Sequence, residues 1–410
     1  MKKRFGAAKL LSGLLVVAML LSSGACGKTD DTSPDSGASL SDGVSADTDT
    51  SLPDDVSADT DASLPDDVSA DTDASLPDDV SADTDAASSG NVSADAGDSK
   101  FEGNEAHYPV TVTDQAGREV TLTEEPQRLV SGYYISTSLL IALGLEEKLV
   151  GIEAKAGSRP IYSLSAPALL ELPNVGSAKE FDLEGCAALE PDLVILPGKL
   201  KEAAGTLEEL GFPVLLVNPE NQELLTEMIQ IIGKAAGRET QAQTLLDFTA
   251  AQEERLEGLL SGADTPSVYL AGNSSLLSTA GSAMYQSDLI SRAGGINAAA
   301  EIEDTYWAEI DYEQLLHWNP EYIILASDAD YTVEDVLSDP NLKDCAAVIS
   351  ENVYQMPGRA EAWDSPVPGG ILGIVWLSSI LHPDLCPESD SASIIEDYYE
   401  TFYGFSYSEN

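Results

Sequence analysis

The chain has 410 residues, of which 71 are acidic and 20 are basic, so its formal net charge is −51 at pH 7. This excess of negative charge excludes functions that need a broad basic face for nucleic acid. The length would accommodate two or three domains, since domains usually contain about 100 to 200 residues. Hydrophobic residues make up 43% of the chain, which is enough for a sizeable core if they are concentrated in one part of it.

The N-terminus has the pattern of an export signal. Basic residues precede an apolar run from Leu10 to Leu21, which is shorter than the ~20 residues of a spanning helix. Ser23-Gly24-Ala25-Cys26 follows and resembles the bacterial lipoprotein cleavage box, although Ser23 stands where that box usually has Leu. We predict a lipoprotein signal peptide over residues 1–25 and lipidation of Cys26. The alternative is ordinary secretory cleavage with an unrelated cysteine.

Residues 26–106 form an acidic segment that is predicted to be a disordered linker. Residues 27–106 carry 22 acidic and 2 basic side chains and almost no aromatic ones, so apolar burial cannot offset the entropy of ordering. A 12-residue repeat, Val-Ser-Ala-Asp-Thr-Asp-x-Ser-Leu-Pro-Asp-Asp, begins at Val44. Its paired aspartates suggest calcium, but the Gly and the bidentate Glu of an EF-hand loop are missing. We therefore favour an extended tether between a lipid anchor and a folded domain, whose Ser and Thr residues are possible sites for sugars.

The rest of the chain contains an internal duplication. Asp182-Leu183-Glu184 is followed by Pro191 and an apolar run, and Asp311-Tyr312-Glu313 is followed at the same spacing by Pro320 and a second run. In each copy Asp can cap a short helix, Pro ends it, and the apolar run is typical of a strand buried in a parallel sheet. Another helix-like stretch precedes each copy, at 138–144 and 287–294. We predict an α/β fold of two similar, parallel-sheet-based lobes with crossover helices.

Two helical segments separate these lobes, at about 221–236 and about 239–260. The second has its apolar residues on one face and would be roughly 30 Å long at 1.5 Å per residue. We therefore predict an N-terminal lobe over 107–220, linking helices over 221–261 and a C-terminal lobe over 262–410. A single long helix would join the lobes and leave a ligand cleft between them. Alternation around the turn 114–117 also predicts a hairpin at the start of the first lobe.

Motifs for catalysis and for metal binding are missing from the sequence. It contains no Gly-x-Ser-x-Gly elbow, no phosphate loop and no His-Glu-x-x-His. The histidines are scattered, so we predict no His-rich metal site and no cofactor. Cys186, Cys345 and Cys386 have no paired spacing and are predicted to be buried apolar positions rather than a disulfide framework. The chain is therefore predicted not to be an enzyme.

Aromatic and cationic residues near predicted strand ends are the candidate ligand contacts. Ligands of open α/β folds bind beyond the carboxyl ends of the strands, and aromatic walls with a few polar groups suit a large, partly flat ligand. Cations lining the cleft would form a positive spot in an acidic field, which suits an anionic chelate. The candidates are Tyr133, Tyr134, Arg159, Tyr162, Lys179, Phe181, Lys199, Tyr285, Tyr306, Trp307, Arg359 and Trp363.

Residues 108–405 resemble the helical-backbone substrate-binding proteins of bacterial importers for iron-siderophores, haem and cobalamin. The resemblance is carried, in order, by the segments 112–118, 126–130, 191–195, 288–290, 294–297, 376–377 and 382–383. It implies an extracytoplasmic, lipid-anchored monomer that binds an iron chelate, haem or a corrinoid and delivers it to an ABC permease with its ATPase. The loop 362–368 resembles the late loop of members assigned to metal chelates. Some relatives with similar loops bind molybdate or tungstate, which keeps an oxyanion or another metal species as the alternative ligand. A surface hydrolase or adhesin on the same scaffold is a further alternative.

The resemblance also implies how the chain contacts the permease. In that family one Glu on each lobe docks onto arginines of the permease, and the matching residues are Glu184 and Glu313. These are the acidic residues that the internal duplication places at equivalent positions. Their other possible role is modest support of a helix N-terminus. We expect docking, because a carboxylate at a helix start stays exposed and available to an arginine.

Overall fold

A computed structural model of the chain describes residues 108–303 and 307–408. The predicted signal peptide (1–25), the lipidation site Cys26, the linker (26–106) and Tyr306 lie outside the described residues. Within the part of the chain that is described, no helix combines the length and the apolar character that a membrane crossing requires.

The first lobe is a parallel sheet preceded by a hairpin. Its strands are β1 (Val110–Thr113), β2 (Glu119–Leu122), β3 (Leu129–Ser131), β4 (Leu149–Ile152), β5 (Leu193–Pro197) and β6 (Val214–Val217). Its helices are α1 (Tyr134–Ala142), α2 (Pro160–Ser165), α3 (Leu183–Ala188) and α4 (Lys201–Glu209). Strands β4, β3, β5 and β6 pair in that order and are all parallel. Every residue of β5 and β6 is buried, as expected for strands covered on both faces.

The predicted hairpin forms β1 and β2, and its turn is tied to the sheet by Asp114. Asp114 is 3% exposed, and its side chain accepts hydrogen bonds from the backbone N–H of Ala116, Arg118 and Leu216. The Arg118 guanidinium adds an ion pair at 2.6 Å. Gly117 closes the turn with φ at +76°, a conformation that glycine adopts without strain. One buried carboxylate thus links the hairpin to β6.

Two helices connect the lobes, α5 (Gln222–Ala235) and α6 (Glu239–Leu260), close to the predicted bounds. They pack closely, because a Cβ added at Gly233 would lie 2.5 Å from the Ala242 Cβ. The 22-residue helix α6 is the predicted strut, and at 1.5 Å per residue it spans about 33 Å.

The second lobe is built on a mixed sheet. Its strands are β7 (Ser267–Ala271), β8 (Ser278–Thr279), β9 (Ile296–Asn297), β10 (Ala308–Glu309), β11 (Tyr322–Leu325) and β12 (Val353–Gln355). Its helices are α7 (Tyr285–Arg292), α8 (Tyr312–Trp318), α9 (Val333–Leu337), α10 (Ala346–Ile349), α11 (Gly370–Leu381) and α12 (Glu388–Phe402). The strands run in the order β10-β8-β7-β11-β12, and β9 pairs with β7. Strand β8 runs antiparallel to both of its neighbours, β7 and β10. Strands β7, β9, β11 and β12 are parallel to one another.

The duplicated segments occupy equivalent places in the two lobes. Helix α3 leads into β5 and helix α8 leads into β11, and each of these strands lies inside its sheet. The predicted α/β fold is confirmed. Two helices begin earlier than predicted: α1 begins at Tyr134 rather than at 138, and α7 begins at Tyr285 rather than at 287. Their first turns carry few aliphatic residues, so the apolar pattern begins only after the helix has started. The three cysteines of the described part are buried and free.

Candidate functional site

A small cavity lies where the two lobes meet. The first lobe contributes Tyr134, Ser138 and the segment 158–162 to its wall. The second lobe contributes Asp328, Gly358, Ala360, Glu361, Ala362 and Val367. Its volume is about 90 Å³. At its edge the lobes touch, since the Ile161 N–H donates to the Ala360 carbonyl at 3.1 Å. The cavity therefore lies between the two lobes.

Arg159 supplies the positive charge in the described wall of this cavity. It immediately precedes α2, whose first residue is Pro160, and its guanidinium lies 4.1 Å from the centroid of the Tyr134 ring. Among the described residues, no carboxylate forms an ion pair with Arg159. Burial raises the pKa of Tyr134, while the Arg159 charge works in the opposite direction. The result is a stacked, unpaired cation beside a neutral phenol.

A buried carboxyl group, Glu153, orients one side of the cavity. Glu153 follows β4 and is 7% exposed. It accepts hydrogen bonds from Thr137 Oγ1 at 2.6 Å and from the Tyr162 hydroxyl at 2.5 Å. Burial raises the pKa of Glu153, and these two hydrogen bonds oppose the rise. Tyr162 is therefore held in place by a group that no sequence motif indicates.

A second buried carboxyl group, Glu361, lies in the wall contributed by the second lobe. Glu361 is 6% exposed, and its Oε1 is hydrogen-bonded to Ser138 Oγ of the first lobe. Burial raises the pKa of Glu361 to about 7, against the opposing hydrogen bond from Ser138. Sequence reasoning missed this residue, because a single Glu in a loop carries no recognisable spacing.

Three of the predicted ligand residues, Tyr134, Arg159 and Tyr162, come together on the cavity wall. Tyr306 lies outside the described residues. The other predicted residues lie elsewhere than in this wall, and they are Tyr133, Lys179, Phe181, Lys199, Tyr285, Trp307, Arg359 and Trp363.

These other residues mostly contact protein. The Trp363 indole is 1% exposed and donates to the Tyr399 hydroxyl at 2.9 Å. Tyr285 is 6% exposed, and Phe181 packs against the buried cluster beside β5. Arg359 lies 5.3 Å from the centroid of the Tyr407 ring. In the described residues, no group of three or more His, Cys, Asp or Glu side chains is arranged to hold a metal ion.

The two predicted docking glutamates occupy matching positions on the lobes. Glu184 lies in the first turn of α3 and Glu313 in the first turn of α8, and both are exposed. Each helix is capped by the preceding aspartate, since Asp182 accepts from the Gly185 N–H and Asp311 from the Gln314 N–H, both at 2.8 Å. The capping aspartates satisfy the helix ends, so the glutamates are left available for a partner.

Residues 129–360 match the family described as periplasmic binding protein, and the chain belongs to this family. It is the extracytoplasmic substrate-binding component of an ABC importer, as the sequence resemblance predicts. Such proteins are non-enzymatic transport components, which confirms the prediction that the chain is not an enzyme.

Individual relatives differ in the ligand that their names record. The chain is 25% identical to the molybdate-binding protein MolA of Haemophilus influenzae over 323 residues, which is 72% of this chain and 91% of that protein. It is 26% identical to a cobalamin-binding protein of Halobacterium salinarum over 239 residues, which is 57% of this chain and 60% of that protein. Among solved structures, a periplasmic solute binding protein of Veillonella parvula superposes with a TM-score of 0.65 at 25% identity, covering 72% of this chain and 93% of that one.

Proposed function

We propose that this protein captures a small tetrahedral oxyanion of the molybdate or tungstate kind between its lobes and delivers it to an ABC permease. The observation that carries the proposal is the cavity of about 90 Å³ between the lobes, whose wall contains the Arg159 guanidinium without a carboxylate partner among the described residues. Pockets for drug-sized organic ligands measure about 300 to 1,000 Å³. A compact anion suits this cavity better than an iron chelate, haem or a corrinoid does.

The comparisons support the same choice. The similarity to the molybdate-binding relative extends over 91% of that protein, whereas the similarity to the cobalamin-binding relative extends over 60% of that protein. The cobalamin-binding relative supports a second candidate function, in which the lobes separate further and bind an iron complex, haem or a corrinoid.

Calorimetric titration of the protein with a panel of ligands tests the proposal. We expect molybdate and tungstate to bind and haemin, a ferric hydroxamate and cobalamin to give no signal. Arg159→Ala should weaken molybdate binding about 10- to 100-fold, because a hydrogen bond to a charged group contributes about 1.5–3 kcal/mol. Arg359→Ala is the matched control, since Arg359 lies outside the cavity wall, and its affinity should equal that of the wild type. Binding of cobalamin or a chelate without molybdate would establish the second candidate instead.

We further propose that Cys26 carries a lipid that holds the protein at the outer face of the cell membrane. The basic flank, the short apolar run and Ser23-Gly24-Ala25-Cys26 support this placement. Cys26→Ser should move the protein from the membrane fraction to the soluble extracytoplasmic fraction, as measured by fractionation and immunoblotting. Membrane retention of the variant at the wild-type level would contradict the lipid anchor.

The partner that we propose for Glu184 and Glu313 is the permease. Their support is the equivalence of their positions on α3 and α8, together with their exposure. Two carboxylates that are related by the internal duplication offer a paired contact for arginines of the permease.

A further inference from the structure

A buried polar cluster joins the two lobes beside the cavity. Ser138 on α1 is hydrogen-bonded to Glu361 Oε1, and the Ser138 Oγ and Tyr403 OH atoms lie 2.9 Å apart. Ser165 of the first lobe donates to the Tyr403 carbonyl oxygen at 2.6 Å. We call Ser138, Glu361 and Tyr403 the interlobe cluster. It attaches the first lobe both to the loop that follows β12 and to the end of α12.

Glu361 is incompletely satisfied within this cluster. Its Oε2 atom is buried and has no hydrogen-bond partner among the residues that the structure describes. The space beside it is tight, because a Cβ added at Gly369 would lie 2.6 Å from Oε2. An ionised carboxylate would leave this oxygen charged and without a donor, whereas protonation removes the buried charge, which is the larger part of the penalty. The surroundings therefore favour the protonated form, in agreement with the raised pKa of Glu361.

The described groups that face Glu361 keep the same charge near neutral pH, so Glu361 is the group whose charge changes. Burial raises the pKa values of Tyr398, Tyr399 and Tyr403 on and beside α12 well above 10, so these phenols stay neutral. The cavity wall adds Arg159 and Asp328, which have opposite charges, and the neutral phenols Tyr134 and Tyr162.

We propose that Glu361 is a proton-dependent latch between the lobes. In its neutral form it holds α1 against the second lobe through Ser138 and Tyr403. In its ionised form it weakens this closure, because the buried charge is stabilised by separation of the lobes and entry of water. A second consequence rests on the proposed function: an ionised Glu361 places a negative charge in the cavity wall and repels an oxyanion. Both effects have the same sign, so closure and anion affinity fall as the pH rises, and the loss of closure extends from the ordinary pKa range of a solvated Glu up to the raised pKa of Glu361 in the closed form.

Hydrogen exchange of the ligand-free protein tests the latch without any assumption about the ligand. With exchange corrected for the intrinsic effect of pH, the wild type should lose protection in α1 and in residues 358–367 between pH 6 and pH 8. Glu361→Gln should keep the protection seen at pH 6 at both values. Glu334→Gln, at an exposed position on α9, is the matched control and should behave like the wild type. Ser138→Ala should lower the protection already at pH 6. Equal protection of the wild type at both pH values would overturn the latch.

Calorimetry with molybdate tests the second consequence. The affinity of the wild type should be at least about tenfold lower at pH 8 than at pH 6, and that of Glu361→Gln should be the same at both. A wild-type affinity that does not depend on pH would refute the coupling of the latch to the anion. A protein that binds no molybdate at either pH, but still shows the pH-dependent exchange, would refute the proposed oxyanion function and leave the latch supported.

Discussion

Arg159 differs from most other arginines of the described chain in having no carboxylate partner. Arg118, Arg238, Arg255 and Arg292 all form ion pairs with acidic side chains, as expected in a chain whose net charge is −51. Arg159 instead stacks on Tyr134 at the cavity. Its charge is therefore available to a ligand, and the surrounding negative field makes this local contact the main source of attraction for an anion.

Asp114 illustrates how one buried charge can hold a structural element in place. Burial works to raise the pKa of Asp114, but Arg118 and the Leu216 N–H outweigh it and hold the pKa below its usual range. Asp114→Ala should lower the free energy of unfolding by about 3 kcal/mol, because removal of one partner of a buried ion pair leaves the other partner uncompensated. Urea denaturation at pH 7 measures this change.

The control for Asp114 uses the other partner of the same arginine. Glu208 is 40% exposed and pairs with Arg118 at 3.0 Å, so Glu208→Ala should cost at most about 1 kcal/mol. The effect of Asp114→Ala should shrink as the pH falls below about 4, because a carboxylate with a lowered pKa stabilises the fold above its unfolded pKa and loses this contribution on protonation. Equal losses for the two variants would show that the buried position of Asp114 has no special importance.

At the scale of elements, the sequence predicts best where a local pattern and the tertiary environment agree. Helices α3 and α8 and strands β5 and β11 follow from the duplicated Asp, Pro and apolar run, because capping and burial act on the same residues. Strands β8 and β10 contain two residues each, and such short pieces have no period to recognise. The antiparallel edge of the second sheet therefore depends on tertiary pairing.

The sequence predicts only part of the candidate site, and the reason is related. An aromatic residue after a strand end can pack into the core or face a cleft, and its sequence position does not distinguish the two. Trp363 packs in the core while Tyr134 lines the cavity. Glu361 gains its character from burial against residues distant in sequence, since its hydrogen-bond partner Ser138 lies 223 positions away. A sequence pattern does not encode such contacts.

At the scale of the whole folded region, each lobe is fastened to one of the two connecting helices. Tyr108 donates to the Ala235 carbonyl at the end of α5 at 3.0 Å. Helix α6 is tied to the second lobe, because Arg292 on α7 pairs with Glu253 on α6 at 2.8 Å. Since α5 and α6 also pack tightly on each other, we expect a limited hinge motion rather than a wide opening. A small motion is of the size that a single hydrogen-bonded cluster can control.

The proposed contact with the permease depends on both lobes at once, so its test changes both. Glu184→Arg combined with Glu313→Arg should abolish uptake in cells while leaving the affinity of the purified protein for its ligand unchanged, because both residues are exposed and lie outside the cavity wall. Uptake of labelled ligand and calorimetry measure the two quantities.

Glu202→Arg combined with Glu334→Arg is the matched control, since these residues are also exposed in the first turns of helices, one on each lobe. This control makes the same change in net charge and should leave uptake intact. A tenfold loss of affinity in the first variant, about 1.4 kcal/mol, would assign Glu184 and Glu313 to ligand binding, and equal loss of uptake in both variants would reduce their role to one of overall charge.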